Sequence, residues 1–354
     1  VSSIVLLAAL TQLGMSQTLD GFKPSANNSV FSILQTENKI LVGGGFSSIS
    51  GQAHPRLAQI DDTGNVISNF TAVGNSDVFS SAVQPDGKIL VCGWFTWFSG
   101  QSRTNLARLN PDGSLDVSFD PKPGGGSPYP GVYSVLVQAD GKILVGGSFN
   151  RLAGQACTNI GRLNLDGTLD SSFTASANNI VYPMALQPDG KILLGGDFTS
   201  LNEQPRSYLG RLNSDGSVDP GFDPGASSTV LTIAVQKDNS ILVGGVFTNL
   251  AGGARTNLGR VSSSGALDGT FSPNPNGAVR SMALQTDGKI LVGGEFTTLC
   301  NQPRKYLGRL HSDGVIDTAF NPGANNVVYG LTLQNDGKIL VAGSFSTLAG
   351  ASRN

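Results

Sequence analysis

The sequence predicts an all-β fold, a seven-bladed β-propeller with four-stranded antiparallel blades. Three observations predict it. The block Lys-Ile-Leu-Val-Gly-Gly recurs with small changes, beginning at Lys39, Lys88, Lys142, Lys191, Ser240, Lys289 and Lys338. Tight Asp-Gly turns sit at fixed offsets within each copy. Two phenylalanine columns, one through Phe46, Phe95 and Phe149 and one through Phe22, Phe70 and Phe119, continue through all seven copies.

The step between copies is 49 residues except for one of 54, which places a five-residue insertion in the Gly/Pro-rich stretch Lys122 to Pro130. Seven such units fill nearly the whole 354-residue chain, so residues 18–354 read as one propeller domain with no second domain. Four strands are predicted in the third copy: Val132 to Gln138, Lys142 to Phe149, Asn159 to Asn164 and Thr168 to Phe173. Arg151 to Thr158 between them reads as a polar loop.

Turn chemistry sets the register. In Asn110-Pro111-Asp112-Gly113-Ser114, proline presets φ and glycine supplies the left-handed residue of a three-residue hairpin loop. Asn110 then faces Ser114, Leu109 faces Leu115, and Arg108 faces Asp116. Arg162/Asp170, Arg211/Asp219, Arg260/Asp268 and Arg309/Asp317 keep both charges, while the first copy has Gln59 and Ser68. Joint loss predicts a direct cross-strand ion pair, worth about 0.2–1 kcal/mol if exposed. The phenylalanines are predicted to fill space between splayed blades, and the paired glycines to allow close approach of backbones.

The N-terminal stretch Val1 to Gln17 has two readings. Its apolar, uncharged run resembles part of a secretory signal peptide, though without a basic n-region. Alternatively, Ser3 to Leu13 and Thr18 to Phe22 supply the third and fourth strands of the last blade and close the ring.

The pattern Q-x-D-G-K-I-L-V-G-G-x-F, carried by Gln138 to Phe149, and its continuation in Asn159 to Phe173 resemble the delta-60 repeat family. The resemblance covers essentially the whole chain. It implies a β-propeller of unknown function in secreted or cell-surface bacterial proteins, and carries over no catalytic residues.

Little chemistry stands out. The net charge of −2 gives no basic surface for nucleic acid, and no apolar stretch is long enough for membrane insertion. Cys92, Cys157 and Cys300 occupy unrelated points of the repeat, so neither a disulfide framework nor a zinc site is expected. His54 and His311 read as separate, exposed polar substitutions. An oxygen-ligand loop around Asp112 and Asp116 falls short of a calcium motif. No catalytic residue, metal or cofactor is assigned.

Function in a repeat ring is sought where repeats differ. Blade 2 holds both tryptophans, Trp94 and Trp97, and its exit carries the insertion with Tyr129. These three are the candidate ligand-binding residues, predicted to lie near one another on the top face, where the loops between second and third strands meet the loops between blades. The expected function is a non-enzymatic, secreted or surface binding or structural module whose partner is a protein or glycan. The alternatives are a carbohydrate-binding propeller and a polysaccharide-acting enzyme using Asp197 and Glu295.

Overall fold

The computed structural model describes residues 5–13, 16–19 and 21–352. The chain forms a seven-bladed all-β propeller, and no helix occurs among the described residues. Blade 3 shows the pattern. Its strands are Gly131–Val137, Ile143–Ser148 and Ile160–Leu163, in that sheet order and antiparallel throughout. Blades 1, 2, 4, 5 and 6 repeat it.

In blades 1 to 6 the expected fourth strand is not a strand. In blade 3 it contributes one antiparallel bridge, Leu163 to Leu169. The cause lies in the next residues. Asp170 Oδ1 accepts the Ser172 backbone N–H at 3.0 Å and the Ser172 hydroxyl at 2.6 Å, and Phe173 N–H returns to the Asp170 carbonyl at 3.1 Å. This local turn competes with the ladder and bends the chain away from the sheet edge.

A second departure is on the top face. The segment read as a polar loop folds into a small hairpin, Arg151–Leu152 against Gln155–Ala156, and a bridge from Gly124 to Arg151 ties it to the inter-blade loop. An asparagine clamps the equivalent hairpin in blade 4: Asn178 Oδ1 accepts N–H groups from Thr199 and Ser200. The sequence signal is a buried apolar residue at each hairpin, such as Leu152, Leu201 and Leu250.

Seven hydrophobic clusters hold the ring, each built from two neighbouring blades. Leu90 and Leu106 of blade 2, for example, pack with Phe119, Val145 and Phe149. Leu340 and Ala342 of blade 7 pack with Phe46 and Ile49 of blade 1. The glycine pairs fit this packing. A Cβ on Gly147 would lie 2.2 Å from the Gly131 carbonyl oxygen, within its own blade. A Cβ on Gly146 would meet only side chains, with Val181 of blade 4 at 2.9 Å.

The backbone of Val5–Leu13 pairs antiparallel with Ile339–Gly343 in blade 7, and Ser16–Leu19 pairs with Val5–Leu13 in turn.

The Arg–Asp register is as predicted in blades 2 to 6, with Nε to Oδ2 distances of 2.9, 2.7, 2.8, 2.8 and 2.9 Å. In blade 1 the residue opposite Gln59 is Ile67, whose N–H bonds the Gln59 carbonyl, and not Ser68. Four of these five pairs are buried, and Arg260–Asp268 in blade 5 is half-buried. Asp170 is only 7% exposed, and Lys142 Nζ reaches the same Oδ2 atom at 2.7 Å. Each arginine lies over the phenylalanine that follows, as with Arg162 at 4.6 Å from the Phe173 ring centre. His54 is likewise buried, at 7% exposure, and burial lowers its pKa. His311 is exposed.

Candidate functional site at the channel mouth

The first strand of every blade runs beside the central channel. The residue after its leading valine is Phe31, Phe79, Tyr133, Tyr182, Leu231, Arg280 and Tyr329 in blades 1 to 7. Five of these are aromatic and consecutive around the ring. Their centroids are 5.3 Å apart for Tyr329–Phe31, 5.6 Å for Phe31–Phe79, 5.4 Å for Phe79–Tyr133 and 5.0 Å for Tyr133–Tyr182. Arg280 completes the collar on the other side, 5.6 Å from the Tyr329 ring. All seven line a cavity of about 570 Å³.

A β-bulge explains why these residues face the channel. In blade 3 the pairing skips between Val132 and Ser134, so Tyr133 is the extra residue of the first strand. The bulge re-aims its side chain without disturbing the buried Val132.

A second row lies at the rim, at the position after each glycine pair. Trp94, Asp197 and Glu295 occupy it. Trp94 meets Phe79 edge-on at 5.0 Å and donates its indole N–H to the Tyr133 hydroxyl at 3.1 Å. It thus links blades 2 and 3 while remaining 43% exposed. Tyr182 donates its hydroxyl to Asp197 Oδ2 at 3.1 Å, and Thr229 donates to Oδ1. Arg280 Nε donates to Glu295 Oε1 at 2.6 Å. Burial, reinforced by the Asp197 charge, pushes the Tyr182 phenol above its ordinary pKa. Burial also raises that of Tyr133.

The three blade-2 candidates have different surroundings. Trp94 joins the collar, and the exit of the insertion rests on it, since a Cβ on Gly131 would lie 2.3 Å from Trp94 Cδ1. Tyr129, two residues before Gly131, is 77% exposed. Trp97 lies on the small hairpin Trp97–Phe98 and Gln101–Ser102, 39% exposed. Among the described residues neither Tyr129 nor Trp97 makes an aromatic ring contact. Asp197 and Glu295 both engage channel-lining residues.

The three cysteines are unbridged. Burial raises all three thiols, Cys157 to about 11, so none is poised as a thiolate. Asp116 is held by Arg108, Lys88 and Ser118. Among the described residues no group of three His, Cys, Asp or Glu side chains is placed to hold a metal, and no helix is long and apolar enough to cross a membrane.

Seven blades around a channel, with a concave mouth lined by side chains, define a β-propeller with a central cavity. The chain belongs to the family described as a domain of unknown function (DUF5122) beta-propeller, whose repeats match residues 35–70, 84–119, 138–173, 187–222, 236–271, 285–320 and 334–354. No curated protein matches it. Among solved structures it is similar to the WD40 beta propeller domain of Doa1, with a TM-score of 0.59 and 14% identity over 97% of this chain and 95% of that one. It is similar to a streptogramin B lyase at TM-score 0.58 and 16% identity, over 95% and 97% of the two chains. It is also similar to the extracellular domain of a hybrid two component system from B. thetaiotaomicron, at TM-score 0.57 and 12% identity, over 90% of this chain but only 38% of that one. At these identities the likeness is one of fold alone. The WD40 signature dipeptides are missing from this chain although the fold is shared.

Proposed function

We propose that this propeller is a non-enzymatic binding module and that its ligand enters the channel mouth. The collar of Tyr329, Phe31, Phe79, Tyr133 and Tyr182 carries the proposal. Five part-exposed aromatic rings around a cavity of about 570 Å³ provide apolar contact, and their hydroxyl groups with Asp197, Glu295 and Arg280 provide orientation. Packing does not require aromatic rings at these positions, because Leu231 and Arg280 fill the same place in blades 5 and 6.

The non-enzymatic reading rests on the carboxylates. Of the two acids of the enzyme alternative, Glu295 is neutralised by Arg280, which leaves Asp197 without the second free carboxyl group that hydrolysis of a glycosidic bond uses. A secreted or bacterial-surface setting follows from the family resemblance and agrees with the extracellular origin of one fold relative. A surface lectin-like reading finds support in the exposed Trp97 and Tyr129. The backbone pairing of Val5–Leu13 with Ile339–Gly343 supports the reading of that segment as a closing strand of the last blade.

The test is a thermal-shift screen of neutral saccharides, short peptides and small ions against the wild-type protein and a Phe79→Ala/Tyr133→Ala variant. Stabilising compounds whose effect disappears in the variant support the channel site. Compounds that stabilise both proteins equally, or no stabilising compound at all, contradict it.

A further inference from the structure

We infer that the blade-4 side of the channel mouth binds an organic ammonium group. The inference rests on the channel mouth being a binding site and specifies the chemistry it selects.

Blades 4 and 6 carry it. Asp197 and Glu295 hold the same repeat position, directly after the paired glycines, and each bonds the collar residue 15 positions earlier in its own blade. In blade 6 that collar residue is a cation. Arg280 pairs with Glu295 at 2.6 Å and lies 5.6 Å from the ring centre of Tyr329 in the next blade. Carboxylate, cation and aromatic ring are all supplied by the protein. In blade 4 the collar residue is Tyr182, so the carboxylate and the aromatic rings are present and the cation is not. The bonds made by Asp197 come from two neutral hydroxyl groups, those of Tyr182 and Thr229.

Other charges at the mouth are balanced locally. Glu295 is paired with Arg280, and Asp77 with Arg56 at 3.2 Å. Among the described residues Asp197 forms no ion pair, the Arg280 charge being held by Glu295 and reaching the Tyr182 hydroxyl only through space, and each Asp197 oxygen retains a lone pair. Tyr182 meets Tyr133 at 5.0 Å, and Tyr133 stacks on Phe79 with a 14° interplanar angle. A cation placed against such rings is attracted by their quadrupoles, more so when partly desolvated. A ligand ammonium would do at Asp197 what Arg280 does at Glu295.

The probes are choline and its uncharged isostere 3,3-dimethylbutan-1-ol, titrated by calorimetry into the full chain. Choline is expected to bind at least about tenfold more tightly than the isostere, and Asp197→Asn to remove that preference. Raising the ionic strength should weaken choline binding to the wild type and leave the isostere unchanged, a reading that does not depend on Asp197→Asn folding. Equal affinity for the two probes, choline binding indifferent to Asp197→Asn or to salt, or no choline binding by the wild type would each overturn the inference. A neutral saccharide that binds and is lost in the Phe79→Ala/Tyr133→Ala variant would overturn the ammonium assignment while leaving the channel site standing.

Discussion

Arg162 donates from Nη1 to the carbonyl of Ser214 at 2.5 Å, across 52 residues of sequence and from one blade to the next. The same guanidinium holds Asp170 of its own blade at 2.7 Å and covers Phe173. Arg211 repeats the link to Ser263, and Arg108 to Leu165. The repeated ion pair is therefore part of a strut between blades.

Removing one strut should cost much more than losing a surface pair. Arg162→Ala leaves Asp170 buried with only Lys142 as a charged partner. A loss of about 3 kcal/mol in denaturant unfolding is expected. Arg162→Lys should recover little of it, because an ammonium cannot serve Asp170 and Ser214 together through a planar fork.

The glycine pair offers a contrast at adjacent positions. Gly147→Ala forces a methyl group onto a carbonyl oxygen and should destabilise by about 1–3 kcal/mol or more. Gly146→Ala meets a movable valine side chain and should cost less. Blades 2 and 7 already carry Cys92 and Ala342 at the Gly146 position, whereas the Gly147 position is glycine in every blade. Thermal melts of the two variants decide the order.

Acid should loosen the struts. Burial alone would raise the Asp219 carboxyl, but Lys191, the Gly221 N–H and Arg211 outweigh it and hold it at about 2. Asp268 is also held at about 2, chiefly by the Thr270 hydroxyl, against burial. A carboxylate depressed in the folded state stabilises fully above its unfolded pKa of about 4 and loses that contribution as pH falls through its folded value. Each contributes about 2 kcal/mol. Melting temperature should fall between about pH 4 and pH 2, and Asp219→Asn should flatten that fall.

The N-terminal strand should behave as a latch. Deleting residues 1–19 exposes one edge of Ile339–Gly343. A lower melting temperature is expected, with concentration-dependent association through the bare edge. A deletion variant that melts with the wild type and stays monodisperse in sedimentation would argue against the latch.

Repeat length, turn register and the Arg–Asp pairing were legible because each depends on residues within one hairpin. Arg108 to Asp116 is such a relationship; Arg108 to Leu165 is not, since it needs the next blade in place. The fourth strand was overpredicted because Asp170 looked like a ladder residue while its side chain builds a turn with Ser172. Trp94 stood out as a rare residue and does stand at the channel rim. Its partners Phe79 and Tyr133 did not, because the residue after the leading valine varies from Phe to Arg and reads as an unremarkable strand position. Only the closed geometry of the blades brings those residues together.

The central claim is that ligands enter at the collar and not on the outer hairpins, and the two tryptophans test it. Trp97→Phe leaves Trp94 as the single reporter at the channel mouth, and Trp94→Phe leaves Trp97 on the outer hairpin. Any compound that stabilises the protein should change Trp94 emission saturably and leave Trp97 emission unaltered. A saturable change in Trp97 emission with Trp94 silent would contradict the account and move the site to the outer rim of blade 2.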